Sequence, residues 1–416
     1  YGGIATQQGR ATVYSGLTGA VLHVLEGDSS FDEFGRSAAR IGDIDGDGKR
    51  EFVIGAPRAA PGGLYSAGRV LVYHGSDASL LFAIDGLRYN QRLGQSVADA
   101  GDLNLDGVSD ILAGGTTDDA NGLDAGAAVA FSGVDGSLLF QLRGEHSGDR
   151  LGSCVAGVGD VDGDGFPDAV VGAATADKSW GESTPQFGDE NGAAYVVSYD
   201  GIPAPGRPID FVYRGDPVGS PAQVGDVDGD GVVDVIVAGI AGYQLPHLEV
   251  ALYSGARGTR LAGTSYDGTY VFATEVVSIA DVNGDGFRDV ALGFGYGGST
   301  NGAAFGPCMR VISGADLSEI YVHSGAPGGG APGREVDALG DVDGDGIDDL
   351  FVVFGAVPSM SSDVLSAASG ALIRTHLDGT AGTAERGADV GDVDGDDVPD
   401  YLVGYPGAGL VYQVGY

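Results

Sequence analysis

The chain has 416 residues and carries 59 acidic against 21 basic side chains, a formal charge of −38 at pH 7. That excess repels nucleic acid and anionic membranes and favours cations, so a polyanion partner would need a local exception. The 77 glycines lack the three-residue period of collagen, and a hydrophobic content of 43% argues against disorder, which leaves glycine to punctuate many short elements.

In chain order, the start YGGIATQQGR has no apolar signal-peptide core, and no uninterrupted apolar run reaches the roughly 18 residues of a membrane helix. A mature or trimmed soluble chain is expected, and the missing leader says nothing about export. GRATVYSGLTGAVLHVLEG then reads as two strands with the character of the third and fourth of a sheet. GRSAARIG supplies a further strand and runs into GDIDGDGKRE, an acidic loop followed at once by the apolar run EFVIGAP. After a variable loop comes a strand and hairpin, GRVLVYHGSDASLLFAIDG.

The acidic loop recurs as GDLNLDGVSD, GDVDGDGFPD, GDVDGDGVVD, ADVNGDGFRD, GDVDGDGIDD and GDVDGDDVPD. The leading acids are Asp43, Asp102, Asp160, Asp226, Asp281, Asp341 and Asp392, separated by 59, 58, 66, 55, 60 and 51 residues. Each loop precedes an apolar run (DILAGG, DAVVGAA, DVIVAG, DVALGFG, DLFVVFG, DYLVGYP), so each unit supplies about four strands. Four antiparallel strands per unit, repeated seven times, predict an all-β, seven-bladed β-propeller that closes as a single domain over 1–416. A parallel β-solenoid is the alternative, although its rungs would be shorter.

The last unit ends in GAGLVYQVGY without an obvious fourth strand, so the N-terminal region 10–27 is expected to close the last blade, about 388–416. The count leaves one strand over, either RATVYSG or the C-terminal one.

In the first loop carboxylates fall at positions 1, 3 and 5 (Asp43, Asp45, Asp47), a carbonyl is available at 7 (Lys49) and Glu51 stands at 9. Alternate spacing on a glycine-curled loop turns the side chains toward one centre, and an all-oxygen crowded set suits Ca²⁺ better than Mg²⁺. An EF-hand would place a bidentate Glu at position 12, where this chain has Ile54 and, in the next unit, Ala113. These are therefore read as β-hairpin calcium loops. Ordinary Asp- and Gly-rich turns would explain a single copy but not seven.

The units resemble FG-GAP repeats, the calcium-binding blades of the integrin α-subunit propeller. The first carries Phe34-Gly35, the acidic loop and Gly55-Ala56-Pro57, while Leu93-Gly94 and Leu151-Gly152 stand for FG elsewhere, and GAA and GYP for GAP. The resemblance implies up to seven Ca²⁺ ions with ligands at 1, 3, 5 and 9 and the carbonyl of 7. The sets after the first are Asp102, Asn104, Asp106, Asp110 with Val108; Asp160, Asp162, Asp164, Asp168 with Phe166; and Asp226, Asp228, Asp230, Asp234 with Val232. They continue with Asp281, Asn283, Asp285, Asp289 and Phe287; Asp341, Asp343, Asp345, Asp349 and Ile347; and Asp392, Asp394, Asp396, Asp400 and Val398. The seventh loop has Asp397 where the others have glycine at position 6, which marks it as the weakest or most distorted site.

The family fold would put these loops on one rim and the variable loops on the other, where recognition belongs. Tyr65, Trp180, Tyr243 and Tyr296 are candidate contacts to a protein or glycan ligand, with loop packing as the plainer role. Arg214-Gly215-Asp216 is a tripeptide that integrins recognise in their ligands, but repeat syntax accounts for it. There is no HExxH or GxSxG, and GFGYGG at 293–298 lacks the helix a dinucleotide site needs. Among the histidines only His247 falls in a variable loop, and Cys154 and Cys308 are expected to be separate buried thiols. The expected function is a calcium-stabilised, secreted or cell-surface binding or adhesion module without membrane insertion. A carbohydrate-active hydrolase or lyase on the variable-loop face and a purely structural module are the alternatives.

Overall fold

Residues 8–161, 163–176, 193–198, 207–209, 216–217, 222–241, 247–267, 272–295, 308–324, 335–354, 361–376 and 386–407 are described by the computed structural model of the chain. The apolar runs that follow the acidic loops become second strands, covered on both faces. Every residue of Phe52–Ala56, Asp110–Gly115, Asp168–Ala173 and Asp400–Tyr405 is buried. Fourth strands such as Val21–Glu26 and Leu80–Asp85 alternate toward solvent, as outer strands must.

Seven antiparallel sheets result, each a meander. Blade 1 is Ser37–Arg40, Phe52–Ala56, Arg69–Tyr73 and Leu80–Asp85; blade 2 is Ser96–Gly101, Asp110–Gly115, Ala127–Phe131 and Leu138–Arg143. Blade 3 is Leu151–Gly159, Asp168–Ala173, Ala193–Ser198 and Arg207–Ile209. In blade 4 Asp216–Pro217 and Ala222–Gly225 both pair with Asp234–Ala241, before His247–Tyr253 and Arg260–Asp267. Blade 5 is Phe272–Ile279, Asp289–Gly295, Cys308–Ile312 and Glu319–Ser324; blade 6 is Glu335–Ala338, Leu350–Phe354, Ser361–Leu365 and Leu372–His376.

Blade 7 joins both ends of the chain. Arg386–Gly391 and Asp400–Tyr405 are its first two strands, and Arg10–Tyr14 pairs on the latter, from Arg10 opposite Tyr405 to Tyr14 opposite Tyr401, with Val21–Glu26 outermost. Both N-terminal strands therefore belong to the closing sheet, so RATVY is not the surplus strand; residues 408–416 lie outside the described residues. Arg374 of blade 6 clamps this hairpin, its Nη1 donating to the carbonyl of Gly16 at 3.2 Å and to the Tyr401 hydroxyl at 3.1 Å.

The first strands touch one another in order around the centre, and that of blade 7 meets that of blade 1. Among the described residues the hydrophobic core is divided into seven clusters, each lying between two neighbouring blades. The seam between blades explains the FG and GAP glycines. Gly94 has φ +89, and a Cβ on Gly55 of the preceding blade would sit 2.1 Å from the Gly94 carbonyl oxygen. One glycine makes the turn and the other admits it, while Phe34, Leu93 and Leu151 beside these turns are buried.

Candidate functional site: the acidic loops and the opposite rim

In an antiparallel meander the turns after first and third strands share one end, so the acidic loops and the third-to-fourth hairpins lie together. The local folding of the loops is set by their own carboxylates. In all seven, the position-1 Asp accepts the backbone N–H of position 6, at 2.7 to 3.2 Å, and the position-5 Asp accepts that of position 7, at 2.8 to 3.1 Å. Lys49, Val108, Phe166, Val232, Phe287, Ile347 and Val398 are thus tied to their own acidic clusters through their N–H groups. These backbone bonds leave the carboxylates crowded together. Ligand atoms of Asp43, Asp45, Asp47 and Glu51 lie within 4.8 Å of one another, as do those of Asp226, Asp228 and Asp230, of Asp281, Asp285 and Asp289, and of Asp341, Asp343 and Asp349. Asp162 lies outside the described residues.

The position-9 acids differ in kind. Glu51, Asp110, Asp168, Asp234, Asp289, Asp349 and Asp400 are all fully buried, and each accepts the N–H of position 2 of its own loop, at 2.6 to 2.9 Å. In blades 2, 4, 5 and 7 the second oxygen accepts an N–H from the third-to-fourth hairpin, Gly133, Gly255, Gly314 or Gly16, and in blade 1 Gly75 makes the same contact at 3.5 Å. Blade 6 has Ala367 there, and Asp349 Oδ1 is buried with no hydrogen-bond partner. Burial pushes the Asp110 carboxyl up to about 6 and that of Asp349 up to about 7, and raises Glu51, Asp234, Asp289 and Asp400 in the same direction. A divalent cation among the clustered oxygens would remove that penalty, so the donor set fits a hard ion.

The seventh loop carries an aspartate at position 6. Asp397 takes the left-handed backbone of the glycines it replaces, φ +67, and its N–H contact to Asp392 is 3.2 Å. Lys49 of the first loop donates from Nζ to the Asp392 and Val393 carbonyls, placing a positive charge beside this site. Asp397→Gly is expected to stabilise the protein by about 1 kcal/mol by removing the left-handed strain. Paired urea unfolding curves check this; an unchanged or lower midpoint would show that Asp397 is held there without strain.

Around the axis, first strands of blades 5, 6 and 7 bring together charges that sequence reasoning did not single out. Arg386 Nη1 lies 2.6 Å from Glu275, 3.4 Å from Glu335 and 3.7 Å from Asp337. Arg40 of blade 1 pairs with Asp389 of blade 7. Beside them lies an axial cavity of about 290 Å³ lined by Arg40, Glu275, Ser278, Asp337 and Asp389 among others. Charged residues in short first strands were the available signal, but the ring has to close before they meet.

On the opposite rim Tyr65 is 60% exposed and its ring lies 5.4 Å from that of Tyr89, itself 63% exposed. Leu87 and Leu123 are exposed in the adjoining loops. Tyr89 and Leu87 sit in the connection from the fourth strand of blade 1 to the first of blade 2, not in a second-to-third loop. Trp180, Tyr243 and Tyr296, together with Arg214 and Gly215, lie outside the described residues. His247 is not in a loop: it opens the third strand of blade 4, where the pairing of Ala241 with His247 extends the ladder. Cys154 is a buried free thiol. Among the described residues no helix is long and apolar enough to cross a membrane.

The FG-GAP repeat model matches residues 34–73 and 155–197, and the FG-GAP-like repeat model residues 213–292. Integrin alpha-5 of Xenopus laevis is 31% identical over 162 residues, covering 36% of this chain and 15% of its own length. Integrin alpha-V of Gallus gallus is 30% identical over 198 residues (45% and 17%), and integrin alpha-4 of Xenopus laevis 30% over 255 residues (56% and 23%). The chain thus spans less than a quarter of the length of these relatives. With the seven four-stranded blades and their acidic loops in place, these matches support an integrin-like FG-GAP repeat propeller.

Proposed function

We propose that the chain is a calcium-stabilised binding or adhesion module, working outside the cell, in which seven Ca²⁺ loops brace one rim and the other meets a protein or glycan ligand. The observation that carries this reading is the division of labour between the rims. Acidic clusters with buried position-9 carboxylates occupy one end of the blades, and an exposed aromatic and aliphatic patch of Tyr65, Leu87, Tyr89 and Leu123 occupies the other. Paired tyrosines on a rigid scaffold offer large contact area at low entropic cost. The relatives bear integrin names, which favours a protein ligand. Ion-filled loops of this type suit a calcium-rich extracellular setting.

The test is adhesion of cells, and of immobilised matrix proteins and glycans, to surfaces coated with the full chain. Adhesion is expected in millimolar Ca²⁺ and is expected to fall about tenfold or more when Tyr65 and Tyr89 are both replaced by serine. Equal adhesion by the parent and the double variant would remove the patch from the account.

A hydrolase reading has one observation in its favour, the axial cavity with its carboxylates. The Arg386 guanidinium already engages two of the lining acids, Glu275 and Asp337, which suits a structural ion cluster better than an acid–base pair.

A further inference from the structure

Blade 1 departs from its siblings at two places that converge on one loop. In blades 2, 4, 5, 6 and 7 the residue after the third strand is Ser132, Ser254, Ser313, Ser366 or Ser15; in blade 1 it is His74. Three of those serines point at their own acidic loop, with Oγ at 3.4, 2.9 and 3.4 Å from Asp230, Asp285 and Asp345. His74 does the same with a nitrogen: its Nδ1 lies 2.6 Å from Asp45 Oδ2. The first loop is also the one that closes with a glutamate, Glu51, whose extra methylene lets its carboxylate reach further.

We infer that the first acidic loop, with His74 as a nitrogen ligand beside Asp45 and Glu51, is a mixed nitrogen–oxygen site that prefers a first-row transition ion such as Zn²⁺ to Ca²⁺. The inference rests on the reading of the loops as cation sites and assigns one of them a different ion. Ligand atoms of Asp45, Glu51 and His74 lie within 4.8 Å of one another. Two donors on opposite sides of an ion at about 2.0–2.4 Å are no more than about 4.8 Å apart, so the set can share one centre. Calcium takes oxygen ligands, whereas imidazole suits zinc, copper, nickel and iron. His74 and Asp45 are both about three-quarters buried, with side-chain exposures of 26% and 21%, so the hairpin holds the imidazole over the loop. Blades 4, 5 and 6 keep a serine hydroxyl at this place and stay all-oxygen.

Equilibrium dialysis of the full chain against Zn²⁺ in millimolar Ca²⁺, with both metals counted per chain, tests this directly. The comparison is His74→Ser, which installs the residue the sibling blades carry and so preserves the hairpin. The other five histidines are common to both proteins and cancel. One zinc ion per chain is expected in the parent, with affinity lowered about tenfold or more in His74→Ser and an unchanged calcium count in zinc-free buffer. Equal zinc binding by the two proteins, with calcium still bound, would overturn the nitrogen site and leave the calcium reading standing. Absence of both metals from the parent would overturn both.

Discussion

Chelation of divalent cations is expected to lower the stability of this chain by several kcal/mol and its melting temperature by a correspondingly large interval. The seven loops hold 26 carboxylates at positions 1, 3, 5 and 9, clustered at ligand distances in the first, fourth, fifth and sixth loops and backed in all seven by fully buried position-9 acids. Without a counter-ion those charges repel and the buried carboxyls are driven above their ordinary range. An ion that binds only the folded form adds about 2.7 kcal/mol per site when present at a hundred times its dissociation constant, so three filled loops already contribute about 8 kcal/mol. Seven ions would also bring the formal charge from −38 to about −24, two units per ion. Thermal melts in EDTA and in millimolar Ca²⁺ measure the difference, and superimposable curves would mean that the loops fold as plain turns.

Arg386→Leu is expected to cost about 3 kcal/mol or more at neutral pH, because it leaves Glu275, Glu335 and Asp337 facing one another without their cation. Burial pushes the carboxyls of Glu335 and Asp337 well above the usual range, against the pull of the guanidinium. The folded form therefore keeps their protons after the unfolded form has released them. Their contribution to stability is full below roughly pH 4 and is lost as the pH rises toward neutrality. In Arg386→Leu that loss steepens, so the deficit measured by urea unfolding at about pH 8 should exceed the deficit at about pH 5. Asp337→Asn, which removes a charge but keeps an acceptor for the Gly387 N–H, should restore part of it. A deficit below about 1 kcal/mol at both pH values would show that the axial acids are screened by something other than Arg386.

Much of this architecture was legible because each blade repeats the same local instructions. The acidic loops announced the turn between first and second strands, and the apolar runs after them became the fully buried strands, as Phe52–Ala56 and Asp400–Tyr405 show. The N-terminal strands were readable as third and fourth in character, but their register on Asp400–Tyr405 is a contact across nearly the whole chain that periodicity cannot supply. Spacing marked Glu51 and its equivalents as ligands yet did not reveal that they are wholly buried and tie the loop to the next hairpin. The axial cluster was invisible for the same reason, since Glu275, Glu335 and Arg386 are brought together only by ring closure. Tyr89 escaped notice because its loop joins two blades and lies outside the most variable segments.

The central claim is that the acidic repeats are cation clasps, and calcium stoichiometry by isothermal titration on chelator-stripped, still folded protein tests it most directly. The account predicts about six or seven ions per chain, with the seventh loop, at 392–400, as the weakest calcium site and the first competing for zinc. One ion or none would contradict it, and with it the assignment of calcium to every loop.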